Sequence, residues 1–136
     1  MADKEIVRTE RAPAPFEGAP YNQAVKVGGL VFVAGQLGLT PDGSGMVGGG
    51  VAEQTEQALQ NLSAILEEAG SSLDKLAKTT VFLQSLDDFA AMNEVYARHV
   101  GDRPPARSTV EVAKLHRAPW SRSRRSPTSS LVTDCY

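Results

Sequence analysis

Arg107 is one residue of this 136-residue chain whose type could do chemistry. It follows Pro104-Pro105 and belongs to the run Ala106-Arg107-Ser108-Thr109-Val110-Glu111-Val112. A guanidinium is planar and permanently charged, and it grips a carboxylate through two parallel hydrogen bonds. The plainer alternative is a solvated or surface-paired arginine, the commoner fate of a lone Arg at a strand start. Other chemistry-bearing residues lack company. His99 and His116 have no partners at ligand spacing and read as bystanders. Gly43, Gly45 and Gly48 to Gly50 have no G-x-G-x-x-G context and read as loop. Cys135 is the one cysteine, so an internal disulfide and a cysteine-held metal are both excluded.

The elements that would position Arg107 follow from hydrophobic periodicity. Ile6 to Arg11 reads as a short extended segment, ended by Ala12-Pro13-Ala14-Pro15. Ala24 to Val27 and Leu30 to Ala34 flank Gly28-Gly29, which predicts a hairpin because a two-residue turn needs positive φ. Thr40 to Gly50 is glycine-rich and reads as a flexible loop. From Val51 to Ala69 the period becomes helical, with Leu59, Leu62, Ile65, Leu66 and Ala69 on one stripe and Gly70 to stop it. Leu76 to Leu83 alternates as a strand, with Ala77, Thr79, Val81 and Leu83 sharing a face. A second helix is expected from about Leu86 to Val100, with Ser85 and Asp88 at capping-box spacing. Phe89, Met92, Val95, Tyr96 and Val100 form its buried stripe, and Ala106 to Ala113 is a last strand. The order β-β-β-α-β-α-β predicts an α+β fold, a mixed sheet with two helices packed on one face.

Composition bounds the rest. Apolar residues make up 41% and charged residues 22%, a globular profile of one-domain length. The start, Met1-Ala2-Asp3-Lys4-Glu5, is not that of a signal peptide, and no apolar run approaches a membrane span. A cytoplasmic protein is the expectation. Residues 1–114 carry ten Lys/Arg against fifteen Asp/Glu, net −5, which argues against a nucleic-acid grip. Residues 115–136 carry Arg117, Arg122, Arg124 and Arg125 against Asp134, net +3. The chain thus divides at 114: a domain over 1–114, and a basic Arg/Ser-rich tail over 115–136 that reads as disordered or non-native.

Several segments carry a family resemblance. They are Ala19-Pro20-Tyr21-Asn22-Gln23-Ala24, Val33-Ala34-Gly35-Gln36, Lys78 to Leu83, Asp88-Phe89-Ala90-Ala91-Met92-Asn93 and Pro105 to Val112. In order and spacing the chain from about Ala12 to Ala113 resembles the RidA (YjgF-type) imine deaminases. That resemblance implies a chorismate-mutase-like homotrimer with an active site at each subunit interface. It implies hydrolysis of 2-aminoacrylate-type enamines and 2-imino acids to 2-keto acids and ammonia, with no metal or organic cofactor. Arg107 matches the family's carboxylate-binding arginine. Tyr21, Gly35, Asn93 and Thr109 are the further substrate-binding candidates, Thr109 through nearby backbone amides. Each also has a structural reading: Tyr21 as turn chemistry, Gly35 as a bulge, Asn93 as a backbone hydrogen-bonder. Ala34 replaces the serine common at its position, so no hydroxyl acts there.

The end of the chain departs from the family, whose members finish close to Gly-Ala-Leu-Val-Glu-Ile-Glu-Ala-Ile-Ala. Here Arg117 to Pro127 reads Arg-Ala-Pro-Trp-Ser-Arg-Ser-Arg-Arg-Ser-Pro. Permitted codons for that stretch, read two bases later, spell the family ending in full, and Trp120 admits a single codon. A one-base loss near the codon for Leu115 or His116 would produce this. The glutamate that orients the attacking water in the family is then missing, and Glu111, on the preceding strand, is no assumed substitute. Three functions are compatible: a deaminase impaired by the lost strand, a non-catalytic trimeric module binding small carboxylates or proteins, and an endoribonuclease-labelled family member.

Overall fold

A computed structural model describes residues 3–115. The expected Arg/Ser-rich tail over 115–136 lies, apart from Leu115, outside the described residues. The element order is β1 (Glu5–Val7), β2 (Ala24–Val27), β3 (Leu30–Val33), α1 (Val51–Glu68), β4 (Lys78–Leu83), α2 (Phe89–Val100) and β5 (Ala106–Glu111). Among the described residues the strands form two sheets rather than one. β1, β2 and β3 pair antiparallel, whereas β4 and β5 pair parallel. The β2–β3 hairpin turns on Gly28 and Gly29 at φ 56° and 81°, values that side chains with a Cβ rarely adopt. A parallel pair cannot close through a short turn, so α2 supplies the crossover from β4 to β5.

Both helices bury the stripes their periodicity dictates. Leu59, Leu62 and Ile65 of α1 and Met92 of α2 are fully buried. They share one core with Ala24 and Val33 of the first sheet and Val81 and Leu83 of the second. The N-terminus of α1 is held by the Gly50 N–H donating to Glu53 Oε2 at 2.7 Å, which keeps that carboxyl below the usual carboxylate range. Its C-terminus closes as a Schellman motif, with Ser71 N–H on Leu66 O and Gly70 N–H on Glu67 O. The second helix starts later than its sequence suggests. Leu86–Asp88 is a 3-10 turn, and Ser85 Oγ accepts from the Asp87 N–H instead of forming a box with Asp88.

Two features differ from the sequence reading for clear reasons. The Gly-rich segment before α1 is tied down rather than loose. Buried Asn61 on α1 donates to the carbonyls of Leu37 (3.1 Å) and Leu39 (2.9 Å), and Leu39 bridges to Met46. Asp42 closes a turn by accepting from Thr40 Oγ1 and the Ser44 N–H, which lowers its carboxyl to about 2. His99 is no bystander either: its Nε2 lies 2.6 Å from Glu56 Oε2 and links α2 to α1. That bond is the main cause holding Glu56 below its ordinary 4.5.

A carboxylate with a depressed native pKa contributes stability above its ordinary value and loses it as the pH falls through the native one. Glu56→Gln should therefore cost up to about 1 kcal/mol at pH 7, the pair being half exposed. In urea unfolding the gap between the two proteins should narrow below pH 4.5. A gap that stays constant down to pH 3 would show that the pair does not titrate as described.

Candidate functional site

β5 carries Arg107 near its start, and the parallel register sets Thr79 of β4 beside it. Alternation then places Arg107, Thr109 and Glu111 on the face of Thr79, Val81 and Leu83, the buried face of the pair. α2 packs over that face. Its Tyr96 is 4% exposed, and the phenol oxygen sits 2.6 Å from the hydroxyl of fully buried Thr79. The Arg107 guanidinium carbon lies 4.8 Å from the centre of the Tyr96 ring and 5.5 Å from that of Phe89. Among the described residues Arg107 makes no ion pair. Its guanidinium lies against two aromatic rings, and among the described residues no carboxylate meets its N–H edge.

The neighbouring positions fit a polar ligand. Thr109 Oγ1 is buried and finds no hydrogen-bond partner among the described residues, two residues along the strand from Arg107 and on the same face. The sequence had suggested backbone donors at Thr109; the side chain is the unsatisfied group. Asn93 is half-buried on α2, four residues after Phe89 and three before Tyr96, so helical spacing puts it on their stripe. Glu111 does not fill the place of the missing acid. Its Oε1 accepts from the Leu86 N–H at 3.0 Å, and four strand residues separate it from Arg107, about 13 Å of backbone.

Tyr21 and Gly35 lie elsewhere. Tyr21 is 42% exposed and its hydroxyl accepts from the Phe16 N–H at 3.0 Å. It borders a cavity of about 500 Å³ with Arg8, Thr9, Glu10 and Asn22. Gly35 lines a smaller one with Tyr21, Phe16 and Gln36. Buried Gln23 shapes this region by accepting from the Thr9 N–H and donating to the carbonyls of Thr9, Ala12 and Pro13. Arg107 borders none of these cavities. Within one chain the candidates thus form two groups, Arg107 with Thr109 and Asn93, and Tyr21 with Gly35. Sequence reasoning missed Thr79 as a site element and took Phe89 and Tyr96 as core alone. Their helical spacing was visible, but their relation to Arg107 needs the strand register. Among the described residues no group of three His, Cys, Asp or Glu side chains is placed to hold a metal, and no helix is long and apolar enough to cross a membrane.

Two helices on two small sheets, one antiparallel and one parallel, with an arginine against two aromatic rings near the start of β5, define a class of small α+β proteins, and relatives place the chain within it. The family model described as endoribonuclease L-PSP matches residues 9–120. A RutC family protein of Pyrococcus abyssi is 50% identical over 112 residues, 82% of this chain and 87% of that protein. The mouse (Mus musculus) 2-iminobutanoate/2-iminopropanoate deaminase is 40% identical over 114 residues, 84% of this chain and 83% of the relative. The crystal structure of E. coli TdcF with bound serine superposes with a TM-score of 0.79 at 33% identity, covering 97% of this chain and 98% of that one. The chain belongs to the endoribonuclease L-PSP family, which takes in the RutC and RidA proteins.

The Tyr96–Thr79 bond is open to a direct test. Tyr96→Phe strands the buried Thr79 hydroxyl and should lower stability by about 1–3 kcal/mol. Adding Thr79→Val removes the orphaned group and should recover part of that loss in urea unfolding. Strictly additive losses would show that the two hydroxyls are not coupled.

Proposed function

We propose that this chain is a subunit of an imine deaminase, in which Arg107 binds the carboxylate of a 2-imino or enamine acid. The observation that carries the reading is the Arg107 edge itself, with the unsatisfied Thr109 hydroxyl beside it. The name of the mouse relative and the serine bound to TdcF both point to small amino-acid-like ligands. The acidic body gives the endoribonuclease description no electrostatic support.

In the reaction, water adds to the C=N carbon and gives a tetrahedral aminol. A proton passes to nitrogen, the C–N bond breaks as C=O forms, and ammonia leaves a 2-keto acid. Arg107 contributes orientation: a two-point grip fixes the carbon beside the carboxylate, so water meets it from one direction. A general base that readies the water has no counterpart among the described residues near Arg107. The shifted reading frame after about Leu115 accounts for that, and it makes impaired catalysis part of the proposal. The missing glutamate also favours a second reading, a module that binds small carboxylates without turning them over.

Assembly belongs to the same reading. Ile6, Val25, Leu30 and Phe32 share the sheet face opposite the α1 side, and Val110 lies on the corresponding face of β5. Of these, Ile6, Leu30 and Val110 are each at least 40% exposed. An apolar face of this kind supports self-association, and a homotrimer would let Tyr21 and Gly35 of one subunit approach Arg107 of another. A reducing, cytoplasmic compartment suits a chain with one cysteine.

Ammonia release from freshly generated 2-aminoacrylate tests the proposal, using the chain as written and with its frame restored. The restored chain should be active and the written chain weak or inactive. Arg107→Ala in the restored chain should lower kcat/KM by about 10- to 100-fold. Equal robust activity in both chains would refute the role of the lost glutamate, and an inactive restored chain would refute the deaminase. Intact-mass measurement of the natural protein, or its coding DNA, decides whether the frame is shifted.

A further inference from the structure

The Arg107 site contains a feature that carboxylate binding alone does not require. Two rings from one helix, Phe89 and Tyr96, lie against one guanidinium. An arginine side chain is long and gives up much rotamer freedom when it is ordered. A clamp that must be ordered by its ligand takes that loss from binding; one ordered beforehand does not. Stacking suits the task because of its geometry. It occupies the faces of the guanidinium, while all five N–H bonds lie in the plane and stay directed outward.

We infer that Phe89 and Tyr96 form an aromatic platform that presents the Arg107 fork edge-on to a ligand carboxylate, and that both are positioning residues. The inference rests on the reading of Arg107 as the carboxylate clamp. The two rings have different parts. Tyr96 is the fixed one: it is buried, and its hydroxyl is tied to Thr79, the residue paired in register with Arg107. Strand, helix ring and arginine therefore close a triangle, Thr79 to Tyr96 to Arg107 and back across the ladder. Phe89 is the outer ring at 41% exposure, a cost in exposed apolar surface that core packing does not explain. As the outer half of the platform it has a reason to be there. Its exposure also means that changing it leaves the core untouched.

Calorimetric titration of the full chain with pyruvate, a 2-keto acid, gives the test without requiring turnover. Phe89→Leu should weaken pyruvate binding about three- to tenfold, the size of one exposed cation–π contact or slightly more. Its urea midpoint should be unchanged, and Phe89→Trp, which keeps a π face, should bind within about twofold of the unsubstituted chain. The Arg107 Hδ resonances should lie upfield through ring currents and move toward random-coil positions in Phe89→Leu. A merely structural Phe89 would move the midpoint and leave pyruvate affinity unchanged. Unweakened binding in Phe89→Leu, while Arg107→Ala abolishes it, would overturn the platform and spare the clamp. An unsubstituted chain that ignores pyruvate, or an Arg107→Ala variant that binds it as well, would overturn both.

Discussion

The parallel pairing of β4 with β5 is the constraint on which the candidate site depends. Register sets Thr79 beside Arg107, and the crossover helix that parallel pairing demands is the helix that delivers Phe89 and Tyr96. A one-residue slip of β5 would turn Arg107 and Thr109 to the opposite face and expose Ser108 and Val110 to α2. The buried Tyr96–Thr79 bond ties α2 to β4, the strand against which β5 takes its register, and breaking it would leave the Thr79 hydroxyl stranded in a dry core. Stability and function therefore meet in the same few atoms.

The elements were legible from the sequence because each carries its own local signal. The α1 stripe of Leu59, Leu62 and Ile65, the Gly28-Gly29 turn and the Thr79-Val81-Leu83 face all declare themselves by spacing. Arg107 was legible through its surrounding run. The contacts that give these residues their meaning were not. Asn61 donates to carbonyls more than twenty positions away, Gln23 to carbonyls up to fourteen away, and His99 meets Glu56 across forty-three. Side-chain amides that anchor a loop leave no periodic trace, so the Gly-rich segment looked loose although it is pinned. Nor can one strand's pattern show whether its neighbour is paired into the same sheet, and here the expected mixed sheet is two sheets among the described residues.

Charge explains why Arg107 is stacked rather than paired. The body of the chain is acidic, with carboxylates enough to neutralise every cation, and Arg11 does take Glu67 at 2.7 Å. A carboxylate at Arg107 would compete with a ligand for the same two-point edge and would be desolvated to no purpose. Aromatic rings hold a cation through its faces at a modest energy and make no claim on its N–H bonds. Glu111, the acid nearest in sequence, is kept away from that edge by its bond to the Leu86 N–H. The arrangement keeps Arg107 ordered yet available.

Holding an acid and hydrolysing it are separable demands on such a site. Holding needs a fork of donors, a fixed orientation and an apolar surround, which on the proposed reading come from β5 and α2. Hydrolysis also needs a base aimed at water on the reacting carbon, and on the proposed reading that group would come from sequence beyond β5, where this chain differs from the family ending. Binding energy at the carboxylate is felt equally by substrate and transition state, so on its own it lowers KM and leaves kcat alone. A chain that keeps Arg107, Thr79 and Tyr96 but lacks the acid should retain affinity and lose turnover. On the proposed reading, the sequence after Leu115 therefore decides between an enzyme and a binding protein built on the same fold.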